Sequence, residues 1–249
     1  MTSFLGGTDA DGPTETYTGA TRTLGGVACT WQTDGNLSIV SLVPHEAVPD
    51  RFTTDTATEC EGGGRCHVTR TVGPAVLFVE GWDGQTNRMV ADAVAENIDS
   101  IELASRPLPS ATAPTCDSLA PLIEPTAGVG TLSALGTDDI PQGPIWDTLV
   151  AAGAATFCVW GGTESTGSLT NAAWVWAYPG LMDPRGVEGE RLTLDDLQAV
   201  RRDRPSDHGA ARIEVTASDG SNTVVVLGQG MTVDAVSATV KAVLSALPS

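Results

Sequence analysis

Positive charge is scarce in this chain. One lysine, Lys241, and twelve arginines stand against 31 acidic side chains, so the formal net charge of the 249 residues is −18. A surface of this sign repels phosphate backbones and anionic lipid headgroups. We therefore expect neither nucleic-acid binding nor attachment of the folded surface to a membrane.

Long hydrophobic runs are absent as well. No apolar run approaches the roughly 20 residues that cross a bilayer, and the first residues, MTSFLGGTDADG, do not read as a charged and then apolar secretory signal. We therefore expect no membrane span in this chain. Hydrophobic residues still make up 41% of it, which is enough for one large domain or two ordinary ones.

Arrangements that favour catalysis are few. A Cys-His nucleophile would combine Cys29 with His67 or His208, but no spacing in the sequence brings these residues together. Ser165 lacks the surrounding G-x-S-x-G sequence of a hydrolase nucleophile. The sequence therefore favours a protein that is not an enzyme.

Cofactor and metal motifs are incomplete. Residues 8–12, Thr-Asp-Ala-Asp-Gly, begin like a calcium loop, but Pro13 occupies the next ligand position. The glycines at 62–64 and 161–162 are not followed by the Lys-Ser/Thr of a phosphate-binding loop. We therefore expect no cofactor and no metal ion.

What the chain does contain is a repeated pattern. Gly-Gly-Val-Ala-Cys-Thr-Trp at 25–31 is matched by Gly-Ala-Ala-Thr-Phe-Cys-Val-Trp at 153–160. Each pattern is followed by strand-like and then helix-like sequence, over 67–101 and 212–247 respectively. Self-similarity at a spacing too large for a solenoid indicates two similar domains in tandem.

Two segments have apolar side chains at helical spacing. The first helix is predicted over 86–101 behind the N-cap candidate Thr86, and the second over 232–247 behind Thr232. Shorter apolar runs predict five strands, Leu37–Val43, Ala75–Val79, Ala172–Tyr178, Ile213–Ala217 and Thr223–Leu227. Mostly antiparallel strands packed by a C-terminal amphipathic helix give each domain an α+β fold.

The domain boundary is predicted near residue 110. The segment 105–115, SRPLPSATAPT, is rich in Pro, Ser and Ala and predicts a linker. We expect a first α+β repeat over 1–104 and a second over 116–249, which opens with a short helix at Cys116. The first repeat has no equivalent of Cys116 ahead of Cys29, so we expect it to be truncated at its N-terminus.

Five cysteines indicate an oxidising compartment. Cys60 and Cys66 flank a Gly-rich loop that can bring them into disulfide range, and the alternatives for this pair are a metal site or free thiols. If an opening helix is tied to the Cys-x-Trp strand in each copy, Cys116 pairs with Cys158. Cys29 is then a free, buried thiol whose partner lay before residue 1, and export implies that a leader was removed.

These motifs resemble a known group of proteins. Cys-x-x-Leu at 116–119, a Gly-rich approach to Cys-x-Trp, a following strand and a C-terminal amphipathic helix are similar to the actinobacterial exported lipoproteins of unknown function. The related proteins are the extracellular sensor domains of mycobacterial serine/threonine kinases. The resemblance covers most of 116–249 and, without the first helix, 1–104. It implies an extracellular or cell-envelope location and assigns no chemistry.

The strand 172–178 is the strongest candidate for a functional surface. Alternation places Trp174, Trp176 and Tyr178 on one face, where aromatic rings can stack on sugars or contact a partner. The alternatives are a core face or packing between the two domains. In the first repeat Ser41 takes the place of Trp176, and this exchange strengthens the case for a ligand or partner surface because a core built around an indole would not accept serine. A buried core or packing between the two domains remains the favoured interpretation.

The second repeat also carries an insertion at 181–208, the most charged part of the chain. Thr193 and Asp196 resemble a capping box, which predicts a helix over Leu194–Arg202. Three arginines lie near its end, Arg201, Arg202 and Arg204. They are suited to binding a carboxylate or phosphate, and the alternative is a solvated helix.

Together these features favour a non-enzymatic exported envelope binding or sensor-like module whose partner is a cell-envelope protein or glycan. One alternative is a hydrolase that acts on cell-envelope material with a site between the domains, which a His clustered with Cys29 or with a Ser would favour. The other is a structural subunit of a surface assembly, which a homo-oligomer through the Trp174 face would favour.

Overall fold

The computed structural model describes residues 21–33, 36–56, 58–60, 66–98, 113–127, 133–134, 144–163, 169–179, 189–204 and 211–247. They fall into two compact units. The first unit takes in Met1–Ser110 and Pro141–Ala154, and the second takes in Ala111–Ile140 and Ala155–Ser249. One of the three points at which the chain passes between the units, after Ser110, lies in the segment 105–115, whereas residues 141–154, expected in the second repeat, are grouped with the first unit.

The first unit is built on an antiparallel sheet. Its strands are β1 (Val27–Thr33), β2 (Asn36–Pro44), β3 (Glu59–Cys60), β4 (Cys66–Val72) and β5 (Ala75–Gly81). They lie in the order β1-β2-β5-β4-β3, and two short 3₁₀ turns, His45–Ala47 and Asp50–Phe52, follow β2. Because β4 and β5 form a hairpin directly before it, helix α1 (Gly84–Glu96) returns over these two strands and packs on them.

The core of the first unit lies between α1 and one face of the sheet. It consists of alternate strand residues and one helix alanine, namely Val40, Leu42, Val68, Val72, Ala75, Leu77, Val79 and Ala91. The expected N-cap Thr86 is wrong, because α1 begins at Gly84 behind Asp83. The Asp83 carboxylate accepts hydrogen bonds from the amides of Gln85 and Thr86, each over 3.1 Å, so it satisfies two N–H groups that lack a partner within the helix.

The second unit has a larger antiparallel sheet. Its strands are β6 (Ser133–Ala134), β7 (Thr156–Thr163), β8 (Leu169–Pro179), β9 (Glu190–Leu194), β10 (Leu197–Arg204), β11 (Arg212–Ser218) and β12 (Asn222–Gln229). They lie in the order β6-β7-β8-β12-β11-β10-β9. Three further helices are α2 (Cys116–Ala127), α3 (Pro144–Ala151), whose residues belong to the first unit, and α4 (Val233–Ala246).

Helices α2 and α4 pack side by side on one face of the second sheet. The helix side chains in this core include Leu119, Ile123, Val236, Val240 and Val243, all 0% exposed. The Thr232 hydroxyl accepts a hydrogen bond from the Ala235 amide over 3.2 Å, so the predicted N-cap of α4 is confirmed. All five predicted strands are present, and the coarse prediction of an α+β fold with mostly antiparallel sheets is confirmed.

The helix predicted over Leu194–Arg202 is wrong, because this segment forms the hairpin β9–β10. Leu194 pairs with Leu197, and the two residues between them form the loop, with Asp195 at φ 54°. Pairing of β10 with β11 then gives the backbone groups of this segment partners within the sheet. Three leucines of the hairpin pack against the core of the second unit, Leu192, Leu194 and Leu197.

Four neighbouring strands have the same order and antiparallel pairing in both sheets, β1-β2-β5-β4 in the first and β7-β8-β12-β11 in the second. Register aligns one residue from each strand into a cross-strand row. One row of the first sheet contains Cys29, Val40, Val79 and Val68. One row of the second contains Cys158, Val175, Val226 and Val215. Each row is therefore a cysteine followed by three valines.

The chain also turns in the same way ahead of β1 and β7. Gly25 has φ 78° and Gly153 has φ 67°, in the left-handed region that glycine adopts without a steric penalty. The amide after each glycine donates to a carbonyl five residues earlier, over 3.0 Å ahead of β1 and 2.9 Å ahead of β7. Helix α3 ends at Ala151, two residues ahead of this glycine.

Two disulfide bonds are present, Cys60–Cys66 and Cys116–Cys158. The first joins the ends of β3 and β4, which pair at these two residues. The second ties the start of α2 to β7, and the carbonyl of Pro114 accepts a hydrogen bond from the Thr156 hydroxyl over 2.5 Å just beside it. The remaining cysteine, Cys29, is free.

Candidate binding face of the second sheet

The side chains that the sequence singled out lie mainly on the face of the second sheet opposite α2 and α4. Strand alternation puts Val175 and Val226 in the helix-covered core and their neighbours on the other side. Register then aligns Trp174 with Leu227, Glu214 and Arg202. The next row on the same side contains Ala172, Gln229, Arg212 and Arg204. We call this surface the aromatic–arginine face and define it by Trp174, Trp176, Arg202, Arg204, Arg212, Glu214 and Gln229.

The two tryptophans of this face are partly exposed. Trp176 stacks on Phe157, with the ring centroids 4.8 Å apart and the planes at 27°. The Arg212 guanidinium lies 5.8 Å from the ring centroid of Trp174, within the range of a cation–π interaction. The Gln229 side-chain oxygen accepts a hydrogen bond from Arg212 Nε over 3.0 Å, which fixes the guanidinium beside the indole.

A buried ion-pair cluster lies next to these rings. The Glu214 side chain is 6% exposed and accepts two hydrogen bonds at Oε2 from Arg204, over 3.1 Å from Nε and 3.0 Å from Nη2. Arg202 Nε lies 3.6 Å from Glu214 Oε1. A carboxylate removed from water in this way is stable only with such partners. The cluster therefore holds Arg202 and Arg204 in fixed positions on the aromatic–arginine face.

Two residues expected on the functional surface lie elsewhere. Tyr178 is on the same side of the sheet but is 1% exposed, so it belongs to the buried interior. Arg201 projects to the opposite side, in the row of Val215, and pairs with Asp203 over 2.9 Å and with Glu190 over 3.4 Å. Arg202 and Arg204 do share a face with the tryptophans, but through a strand rather than the expected helix.

Three residues of the aromatic–arginine face are not among those predicted from the sequence, namely Arg212, Glu214 and Gln229. The signal for two of them lies in β11, whose predicted range is Ile213–Ala217. Alternation along this strand places Arg212, Glu214 and Thr216 opposite the apolar Ile213, Val215 and Ala217. What alternation could not provide is the partner strand, because β10, which pairs with β11, lies within the insertion 181–208, where the sequence predicted a helix.

Cys29 is free, as expected, but the expectation that it is buried is wrong, because the residue is exposed on the edge strand β1. Partial burial of the thiol is the larger effect on its pKa and raises it, while the positive charge of Arg22 acts in the opposite direction. The thiolate is therefore a small fraction at neutral pH.

The structure does not bring Cys29 and His67 together as a nucleophile pair. Cys29 is in the row of Val40 and Val79, whereas His67 is in the adjacent row with Glu80 and therefore projects to the other side of the sheet. Three strand spacings separate β1 from β4, or about 14 Å. His45 is exposed, and the other catalytic candidates, His208 and Ser165, lie outside the described residues.

Within the described ranges, no three His, Cys, Asp or Glu side chains are grouped so that they can hold a metal ion. None of the helices described here combines the length and the apolar character that crossing a bilayer requires. The calcium-loop-like residues 8–13 lie outside the described part of the chain. Comparison of the chain with protein-family models, with curated proteins and with solved structures finds no match.

Proposed function

We propose that this chain is a non-enzymatic exported binding protein of the cell envelope. We further propose that its aromatic–arginine face binds a glycan that carries carboxylate or phosphate groups. The observation that carries the proposal is the Trp174–Arg212 pair, in which a guanidinium lies over a partly exposed indole. An indole offers a flat apolar surface to a sugar ring, and a guanidinium matches the geometry of a carboxylate or phosphate.

The local charge supports an anionic ligand. The aromatic–arginine face carries three arginines and one glutamate, whereas the chain as a whole has a net charge of −18. An acidic protein repels acidic polymers over most of its surface. A positively charged patch therefore restricts where such a polymer binds, and an adjacent aromatic ring adds selectivity for a sugar over a simple anion.

Two features support export. Disulfide bonds persist in oxidising compartments and are rare in reducing ones, and four of the five cysteines are in disulfides. The resemblance to actinobacterial exported lipoproteins points to the same location. The extracellular face of a cell envelope is also where acidic glycans would meet this protein.

A tandem duplication is part of the proposal. It is supported by the shared four-strand order, the matching rows that begin with Cys29 and Cys158, and the recurring glycine turns ahead of β1 and β7. In this scheme the binding face arose in the second copy alone. Ile39 and Ser41 occupy the register positions that Trp174 and Trp176 occupy in the second sheet.

The proposal is tested by calorimetric titration of the full chain with cell-wall oligosaccharides, in acidic and neutral forms of the same backbone. We expect the acidic form to bind more tightly and its affinity to fall with added salt. Trp174→Ala and Arg212→Ala are each expected to weaken binding of the acidic form about tenfold or more, which corresponds to about 1.4 kcal/mol.

Trp82→Ala is the matched control, since it removes an indole that is 52% exposed in the first unit. The Trp82→Ala chain should bind the acidic oligosaccharide with the same affinity as the unchanged chain. Equal binding by the Trp174→Ala chain would refute a role for the aromatic–arginine face. Loss of a homo-oligomer in that variant, without any glycan binding by the parent, would instead assign the face to self-association.

A further inference from the structure

An apolar strip of the first unit is open to solvent on the side of the sheet that α1 covers. Val27 and Cys29 are on this side, because register places them in the rows of Leu42 and Val40, which contribute to the core under α1. Yet Val27 is 38% exposed and Cys29 is exposed too. Helix α1 packs over β4 and β5, at the far end of the four-strand order.

The flank of α1 is open in the same way. Val90 and Val94, each three residues after a buried residue of the helix, Asn87 or Ala91, are only partly buried. We call Val27, Cys29, Val90 and Val94 the β1–α1 strip. Large apolar side chains exposed together are typical of a surface that binds a partner.

The second unit has a helix over the corresponding region. Counted from the two N-caps, Asp83 and Thr232, the positions of Val90, Val94 and Ala95 in α1 are those of Thr239, Val243 and Leu244 in α4. All three of these α4 residues are buried. Helix α2 packs along α4 and contributes Leu119 and Ile123, both 0% exposed, to the same core.

Helix α2 is held in place by a covalent bond as well as by packing. Its first residue, Cys116, is bonded to Cys158 of β7. Cys158 begins a row with Val175, Val226 and Val215, and Cys29 begins the row of the same composition in the first sheet. The cysteine at the register position of Cys29 is thus the one that fixes a helix beside α4.

We propose that the β1–α1 strip binds an amphipathic helix of a partner polypeptide, and that Cys29 forms a disulfide with a cysteine in the first turn of that helix. The partner cysteine lies outside this sequence, because the other four of its five cysteines are bonded to each other. The docked helix presents apolar residues three and seven positions after its cysteine, as Leu119 and Ile123 follow Cys116.

The bond forms by thiol–disulfide exchange with a partner whose cysteine is already in a mixed disulfide with a small thiol. The Cys29 thiolate attacks the sulfur of the partner cysteine, the mixed disulfide breaks, and the small thiol leaves with its electron pair as a thiolate. The Cys29 proton goes to solvent. Two sulfurs are joined and two are separated, so no further oxidant is needed.

The chain itself contains a suitable probe, the peptide of residues 113–127, which includes all of α2. This peptide is prepared with Cys116 as a mixed disulfide with 5-thio-2-nitrobenzoate, and release of the coloured thiol is followed after mixing with the full chain. We expect release about tenfold or more faster than with the same peptide carrying the uncharged substitutions Leu119→Asn and Ile123→Asn, because docking buries these two side chains. The two peptides have the same leaving group, so the ratio reports docking alone.

Three controls complete the experiment. Cys29→Ser must abolish release, and Val27→Asp in the full chain must remove the advantage of the unchanged peptide while leaving the reaction of the glutathione mixed disulfide unaltered. Equal rates for the two peptides would overturn the proposal and leave Cys29 an exposed thiol only. A Cys29–Cys29 dimer that forms faster than the peptide adduct would also overturn it. None of these outcomes depends on the aromatic–arginine face.

Discussion

The two sheets of this protein share a frame and differ in what lies on it. Each has four antiparallel strands in the same order and a row of one cysteine and three valines on the side of the sheet where a helix packs. In the second unit a disulfide-linked helix, α2, extends the cover to Cys158, which is 2% exposed. In the first unit Cys29 is exposed. The valine rows occur in both sheets and are therefore part of the common strand framework, whereas the additional helix determines how completely the core is covered.

The opposite faces of the two sheets differ more strongly. Register places Ile39, Glu80 and His67 of the first sheet where the second has Trp174, Leu227 and Glu214. The backbone pairing is unchanged, because a cross-strand row accepts any side chain that its neighbours accommodate. The face away from the helices is therefore the region where the two units have diverged, and it is where we place the binding site.

The largest expected effect comes from removing the bond that distinguishes the second unit. The double variant Cys116→Ala, Cys158→Ala should lose about 4 kcal/mol of unfolding free energy, because the bond closes a loop with a sequence separation of 42. The matched variant Cys60→Ala, Cys66→Ala opens a separation of 6 and should lose about 2 kcal/mol. Urea unfolding of both variants measures the difference.

Hydrogen exchange on the Cys116 and Cys158 double variant shows which part of the second unit loses protection. The amides of α2 should lose protection first. The position of Cys158 in β7 should then become exposed, as Cys29 of β1 is. Equal destabilisation by the two disulfide removals would contradict the view that the longer link fixes α2.

A smaller effect is expected from the buried ion-pair cluster of the second sheet. Glu214→Gln should lower the unfolding free energy by about 3 kcal/mol, since it leaves Arg202 and Arg204 without the buried carboxylate. Glu190→Gln is the control, because its side chain is 65% exposed and its pair with Arg201 is 3.4 Å long. That substitution should cost under about 0.5 kcal/mol. A Glu214→Gln chain as stable as the control in urea would show that the cluster does not hold this face in place.

The smallest expected effect separates the two helix N-caps by their response to pH. The Thr86 hydroxyl and then the amides of Gln85 and Thr86 lower the pKa of Asp83 below its ordinary value of 3.8. A carboxyl whose pKa is lowered on folding stabilises the fold above its unfolded pKa, and this stabilisation is lost as the pH falls through the folded pKa. Thr232 has no charge to lose, so the cap of α4 should not respond.

Amide exchange in α1 and α4, measured from pH 7 down to pH 3, tests this difference. Asp83→Ala should weaken the amide protection of α1 at pH 7. The difference in protection between this variant and the parent chain should narrow as the pH falls to 3. Thr232→Ala should reduce protection of α4 by about 1 kcal/mol at every pH. If the difference in protection between Asp83→Ala and the parent chain stays constant with pH, the carboxylate charge does not stabilise α1.

Much of the local structure was predictable because it depends on neighbours in sequence. Asp219-Gly220 between apolar runs predicts the hairpin of β11 and β12, and Gly220 has φ 92° as such a turn requires. Helix α4 follows from the spacing of its valines behind Thr232. The prediction failed at Leu194–Arg202, where the residues satisfy a capping box and a helical period as well as they satisfy a hairpin. Two tertiary contacts favoured the hairpin over the helix. Strand β10 pairs with β11, and the leucines of the hairpin pack against the core of the second unit.

The sequence alone predicted five of the strands and the N-cap of α4, and its internal repeat suggested the pairing of Cys116 with Cys158. Those features depend on short-range hydrogen bonding, on alternation and on the internal repeat, all of which are visible in the order of residues along the chain. Only the tertiary structure decided that Cys29 is exposed, that Tyr178 is buried and that Arg202 and Arg204 meet Glu214 beside Trp174. Burial and charge pairing depend on which surfaces pack together, and residues far apart in the chain set that together.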